Sequence, residues 1–136
     1  MKHKIKTVIF QDQRQLLAIP FIVGTSISLV FLDICMEVYH RVTFPLYGIP
    51  LVKRSNYIRI DRQKLSYLNN WDKLWCMYCG YANGMLAYGV RIAGDSEAYW
   101  CGIKHKSGGD FVEQPHQKDF LEYGDEEAYK DFINKD

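Results

Sequence analysis

LLAIPFIVGTSISLVFL, from Leu16 to Leu32, is a run of seventeen residues without a charge. Asp33 interrupts it, and ICMEVY (Ile34–Tyr39) continues it. About 20 apolar residues are needed to cross a bilayer as a helix, so the run is marginal in length and strongly apolar in content. It predicts a membrane helix, or a re-entrant hairpin bent near Pro20 and Gly24. Two other readings compete. A signal peptide would have a shorter polar lead and a small-x-small cleavage site before Tyr39. A soluble protein would bury the run as a core helix.

On the N-terminal side, MKHKIKTVIFQDQRQ (residues 1–15) is a basic arm, too polar to begin a span. On the other side, HRVTFPLYGIPLV (residues 40–52) carries Pro45, Gly48 and Pro50, which prevent a second long helix. Apolar span, broken aromatic turn and cations in that order suit a segment in the headgroup region. Residues 16–52 are therefore read as anchor and interfacial segment, and residues 53–136 as a small helical Cys/His domain with an acidic tail. Both flanks of the span are cationic, so the positive-inside bias pulls both toward the cytoplasm.

Five Lys/Arg lie between Lys53 and Lys64 against one acid, Asp61, whereas from Asp110 onward nine acids face three lysines. The basic block suits either anionic lipid, at about 1 kcal/mol per well-placed cation, or plain solvation. The formal net charge is only +1, and no large basic excess is present to neutralise phosphates, so nucleic acid is not an expected partner. Aromatic residues make up 15% of the chain, with ten tyrosines, which suits half-wet, half-apolar surfaces.

SNYIRIDR (residues 55–62) alternates Tyr57, Arg59, Asp61 against Ile58 and Ile60, and predicts one short strand. From Leu65 the apolar period changes to threes and fours and predicts a helix over Asn69–Ala93. Gly80, Gly84 and Gly89 weaken it locally, or let another element approach closely. Gly94 is expected to stop it, and Asp95 or Ser96 to cap a second helix carrying Cys101 and His105. A short acidic helix follows from Asp125 to Ile133. The fold class is thus mainly α: an apolar membrane helix or re-entrant segment, then a small helical domain with a helix pair and one short strand.

Cys76, Cys79, Cys101 and His105 form C-x2-C-x21-C-x3-H. Three thiols and an imidazole match structural zinc, four-coordinate and closed. Cys76 and Cys79 share a helical face, as do Cys101 and His105. In a straight hairpin turning at Gly94–Asp95 the two pairs would miss by roughly 10 Å at 1.5 Å per residue, so the site requires a bend at Gly80, Gly84 or Gly89. A redox pair at Cys76–Cys79 and simple burial of the thiols are the alternatives. Cys35, alone in the apolar segment, reads as a buried small residue. His116 is an alternative ligand, a separate base or a solvated loop residue, and His3 and His40 mark the interfaces of the span. Asp33 and Glu37, four apart, are candidates because acids within a span are functional by default, although both lie near enough to its end to reach water. There is no phosphate loop, H-E-x-x-H or nucleophile elbow.

At YCGYANG (Tyr78–Gly84), YWCGIKH (Tyr99–His105) and YGIPLVKRSNYIRIDRQKLSYLN (Tyr47–Asn69) the chain resembles a family of small uncharacterised bacterial proteins with an apolar N-terminal segment. The resemblance implies a bacterial, membrane-associated protein, and it implies no activity and no functional residue. The expected function is a membrane-anchored accessory or protein-interaction module of the bacterial inner membrane. Its C-terminal part is expected to be cytoplasmic, with lipid and a protein as partners and zinc as cofactor, and not to be an enzyme. The alternative is a membrane-bound thiol-redox or electron-transfer component using Cys76 or Cys79. A zinc hydrolase using His105 or His116 has no carboxylate evidently placed as base.

Overall fold

A computed structural model describes residues 13–134, with side chains described from Leu16. The chain is mainly helical: α1 spans Gln13–Leu46, α2 spans Asn70–Trp100 and α3 spans Glu126–Ile133. Among the described residues three single 3-10 turns complete it, at Arg54–Asn56, Arg62–Lys64 and Pro115–Gln117. The basic arm lies outside the described residues as far as residue 12, and so does His3. Two compact units divide the chain, one up to Gly89 and one from Val90.

The apolar run is one uninterrupted helix. Pro20 and Gly24 lie inside α1 and do not bend it into a hairpin, so the re-entrant alternative is not the one adopted. The hydroxyls of Thr25, Ser26 and Ser28 each donate to the carbonyl four residues back, at 2.8, 2.6 and 3.1 Å. These polar groups are thereby satisfied within the helix. At its far end Gly48, at φ +69°, turns the chain out, and the Ile49 N–H closes back on the Phe44 carbonyl at 2.8 Å.

In the first unit the connections fix the topology. Asp33 meets Tyr81, whereas Glu37 and His40 meet Tyr88. Higher numbers on α1 therefore face higher numbers on α2, and the two helices run parallel. Parallel neighbours need a return crossing, and residues 47–69 supply it. Val52 lies at His40, Arg54 at Asp33, Tyr57 and Ile58 at Gly84, and Arg59 at Gly80. The crossover runs antiparallel to both helices. The short strand expected over 55–62 is absent among the described residues. This stretch is strapped across two helices, with no strand beside it to complete a ladder.

Gly84 and Gly80 are small because the strap lies on them. A Cβ at Gly84 would stand 2.7 Å from the Tyr57 carbonyl oxygen and 2.8 Å from Ile58 Cα, and one at Gly80 3.1 Å from the Arg59 carbonyl. The apolar core beneath is modest: Leu29, Ala82 and Met85 form the buried cluster, with Met36, Ile58, Tyr78 and Tyr81 packed on it.

α2 begins where expected, with the Asn69 side chain accepting from the Asp72 N–H at 2.8 Å. Its end does not follow the expectation. Gly94 neither stops the helix nor opens a second one. Gly94 is buried within α2, and its missing side chain makes room for the ring of His116, 2.9 Å from where a Cβ would stand. The Arg91–Asp95 pair, 2.9 Å apart, spans this point along the helix. Termination falls to Gly102, at φ +58°, where the N–H groups of Cys101 and Gly102 both reach the Glu97 carbonyl. An isolated bridge, Ile103 to Leu121, then closes the following loop. α3 forms as expected, with Asp125 accepting from the Ala128 N–H at 2.9 Å.

Candidate functional site: a knot of acids, arginine and tyrosines

Asp33 and Glu37 lie one turn apart on the inward face of α1, beside α2 and the crossover. Arg54 is carried back to them by the crossover and grips Asp33 in a fork. Its Nη1 donates to Oδ1 at 2.5 Å and its Nη2 to Oδ2 at 2.6 Å, a geometry that only a guanidinium supplies. Tyr81 adds a third donor to Oδ2 at 2.7 Å. The same Arg54 Nη1 stands 3.7 Å from Glu37 Oε2, and its guanidinium carbon lies 5.4 Å from the centre of the Tyr88 ring. One arginine thus ties together both acids and a tyrosine face.

Glu37 receives Arg41 Nε on one oxygen at 2.6 Å and the Tyr88 hydroxyl on the other at 3.0 Å. Tyr88 Oη also lies 3.0 Å from His40 Nδ1. His40 is buried, and the Val52 N–H donates to its Nε2 at 2.9 Å. These contacts assign the tautomer. Nε2 accepts from a backbone donor, so the imidazole proton is on Nδ1 and is donated to Tyr88 Oη. Tyr88 then donates onward to Glu37. The chain of hydrogen bonds runs from Val52 through His40 and Tyr88 and ends on Glu37 as acceptor, without a conflict.

Electrostatics hold the knot in this state. Asp33, by its hydrogen bonds, raises the Arg54 guanidinium further above its already high range. Burial, reinforced by the bond to Glu37, pushes the Tyr88 phenol up to about 12. Burial and then Asp33 likewise raise Tyr81. Both phenols therefore stay protonated, and remain donors, through neutral pH. A folded-state pKa raised above the unfolded one gives a contribution present in full below the ordinary tyrosine value and lost as the pH climbs through the raised one.

The second unit has its own polar cluster. Glu97 Oε2 lies 2.6 Å from His116 Nε2, and its Oε1 accepts from Gln117 Nε2 at 2.7 Å. His105 Nε2 stands 4.0 Å from Oε1. The His116 bond, with help from Gln117 and against the cost of burial, holds the Glu97 carboxyl below the usual range. The loop histidine read as solvated is in fact the partner of an α2 acid.

The expected metal ligands do not converge. Cys76 and Cys79 share a face of α2, with Cys76 half-buried and Cys79 exposed. Cys101 is exposed beyond the end of α2, and the His105 side chain is 63% exposed and turned toward Glu97. The hairpin that was to unite the pairs does not exist, because α2 continues through Gly94. Among the described residues no group of three or more His, Cys, Asp or Glu side chains is placed to hold a metal ion. All four cysteines are free, and Cys35, expected to be buried, is exposed on α1.

Arg54, Tyr81, Tyr88, Glu97 and Gln117 escaped the sequence reading. One signal was available for two of them: Tyr81 and Tyr88 are seven apart, hence on one face of a helix, as Asp33 and Glu37 are on theirs. Comparison with protein families, with curated proteins and with solved structures finds no match to this chain.

Proposed function

We propose that this protein is a membrane-associated accessory module, in which α1 meets lipid and the second unit meets a protein partner. The observation that carries the reading is the inverted polarity of α1. Its acids and His40 face the protein, whereas Phe21, Ile27, Phe31, Ile34, Val38 and Val42 are all at least half exposed. Apolar residues outside and ion pairs inside suit a helix whose surroundings are not water. α1 is also long and apolar enough to cross a membrane, with 6% of its most apolar stretch buried in the protein. The knot reads as a structural clasp rather than a reaction centre: its donors and acceptors are matched to one another, with no group left aimed at a substrate.

For the second unit, support comes from its surface. An open cavity of about 470 Å³ is lined in part by Trp100, Phe120, Tyr129 and Phe132, and α3 itself carries Glu126, Glu127 and Asp131. Aromatic residues beside polar and charged ones are the composition of a protein-binding patch. The thiol-redox reading keeps one observation, the shared face of Cys76 and Cys79 with Cys79 exposed.

The test is flotation of the full chain with lipid vesicles. Removing residues 1–45 would also remove Asp33, Glu37, His40 and Phe44 and so unfold the first unit, so the intact chain is required. Recovery in the floated fraction is expected; a chain that stays in the aqueous fraction, as monomer or oligomer, refutes the membrane reading. Thiol titration of the same sample reads the alternative: a Cys76–Cys79 disulfide that forms and reduces reversibly would favour redox.

A further inference from the structure

The apolar outer face of α1 does not end where the uncharged run ends. From Ile27 it recurs through Phe31, Ile34, Val38 and Val42 at spacings of three and four, down one side of the helix and past Asp33 and Glu37, which point the other way. Leu16 and Leu46 bound this face. At 1.5 Å per residue it extends ~26 Å on one side of Asp33 and ~20 Å on the other, against a hydrocarbon core of ~30 Å.

Charges packed alongside decide how such a helix meets a bilayer. Arg59 is exposed at the level of Asp33, because its carbonyl lies on Gly80, next to the Tyr81 that bonds Asp33. Arg41, 71% exposed, sits ~12 Å further along α1, and Lys73 on α2 sits ~12 Å the other way from Tyr81. Any ~30 Å slab set within this face along the helix axis contains the level of Arg59. Set low, it also takes in Lys73; set high, it takes in Arg41 and leaves the apolar residues Leu16, Leu17 and Phe21 in water. Every upright placement puts exposed charge in hydrocarbon or apolar side chains outside it, and exposed charge there is costly.

Lying flat lessens the conflict, because Arg59 and Arg41 can then reach the headgroups from the rim of the apolar face. We infer that α1 is seated in the plane of an anionic bilayer interface, with its apolar face toward the acyl chains and the knot, the crossover and α2 on the aqueous side. The crossover cations Lys53, Arg59, Arg62 and Lys64 then flank the seated helix. They are exposed and make no ion pair among the described residues, so they are free to meet acidic headgroups. The hydroxyls of Thr25, Ser26 and Ser28 need no water, since each is bonded within α1. This inference rests on the membrane reading and adds to it the orientation of the helix and the charge of the lipid.

The two ends of α1 make the test. In a background with the four native cysteines replaced, Gln13→Cys and Tyr47→Cys are each added to preformed vesicles containing phosphatidylserine and treated with a membrane-impermeant maleimide. A flat helix labels at both positions before detergent. A spanning helix labels at one end only, and that result overturns the inference while leaving membrane association intact. Failure of the full chain to float at all overturns both. Lipid charge is read with K53Q/R59Q/R62Q/K64Q, which is expected to lose at least ~10-fold in partitioning to phosphatidylserine vesicles and little to phosphatidylcholine alone. High salt on the unmodified chain should reproduce that loss without any substitution, and a partition indifferent to salt and to phosphatidylserine overturns the anionic assignment.

Discussion

Two carboxylates organise this chain, and they are held in opposite ways. Asp33 is gripped by residues 21 and 48 positions away, Arg54 and Tyr81, so its bonds join three elements that the sequence keeps apart. Glu97 is held by His116 and Gln117, 19 and 20 positions away, and its bonds close one loop upon α2. The first arrangement satisfies every group it buries. The second leaves one buried atom, Gln117 Oε1, without a partner. A long-range knot that is fully matched fixes a topology. A local clasp with a loose end only positions a loop.

If that contrast is right, damage to the first site should be the more severe. The largest effect is expected at Gly84. Gly84→Ala places a methyl against Tyr57 oxygen and Ile58 Cα, both backbone, so no rotamer change relieves it and the crossover must lift. We expect a loss of about 3 kcal/mol, at the upper end for overpacking, read by chemical denaturation with the membrane mimetic held constant. Gly94→Ala meets the His116 side chain rather than backbone; that side chain can withdraw at the expense of its bond to Glu97, and the substitution should cost less. Equal costs at the two glycines would break the comparison.

Arg54 comes next. Arg54→Met leaves Asp33 with Tyr81 alone in a site where its side chain is 13% exposed, and we expect a loss of about 2 kcal/mol, as for other partly buried pairs that lose one member. Arg54→Lys should recover part of that, because it restores the charge and not the fork. Amide exchange at Val52, whose N–H rests on His40, reports the knot directly. It should quicken in Arg54→Met and stay unchanged in Glu97→Gln.

How much of this was legible can be told from the same residues. The apolar run, the start of α2 at Asn69 and the capped helix after Asp125 are local signals, and they were read. Asp33 and Glu37 were suspected because charge in an apolar helix is costly by itself, but their partners were not found. Arg54 stood among five cations with nothing local to distinguish it, and only the parallel packing of α1 and α2 brings it to Asp33. Gly94 misled for a related reason. A glycine that ends a helix and one that admits a neighbouring ring look alike in one sequence, and the ring of His116 lies 22 residues on. The hairpin that was to bring the four expected ligands together went with that turn.

Acid tests the second clasp through its own readout. The carboxyl of Glu97 is depressed below its ordinary 4.5, so its contribution is complete above that pH and is lost as the pH falls through the lowered value. The second unit is expected to loosen on that acid limb, monitored by amide exchange at Leu121, whose N–H closes the loop on the Gly102 carbonyl. In Glu97→Gln the limb should flatten, because the group that titrates is gone. An unchanged limb would assign the acid sensitivity to the exposed acids of the tail.

The smallest effect is expected at the loose end itself. Gln117 is 1% exposed, and its amide nitrogen serves Glu97 while its oxygen serves nothing. Gln117→Met removes a hydrogen bond to a carboxylate, which is unfavourable, and removes an unpartnered buried oxygen, which is favourable by a similar amount. Glu97 keeps His116, and its side chain is 30% exposed, so water can replace the lost donor. The two terms nearly cancel, and we expect a net change within about 0.5 kcal/mol. The corresponding cut at the knot, Tyr81→Phe, removes a donor from the more enclosed Asp33 and relieves no orphan, so it should cost about 1 kcal/mol. If Gln117→Met proves the costlier of the two, the oxygen has a partner such as a bound water, and the second clasp is as fully matched as the first.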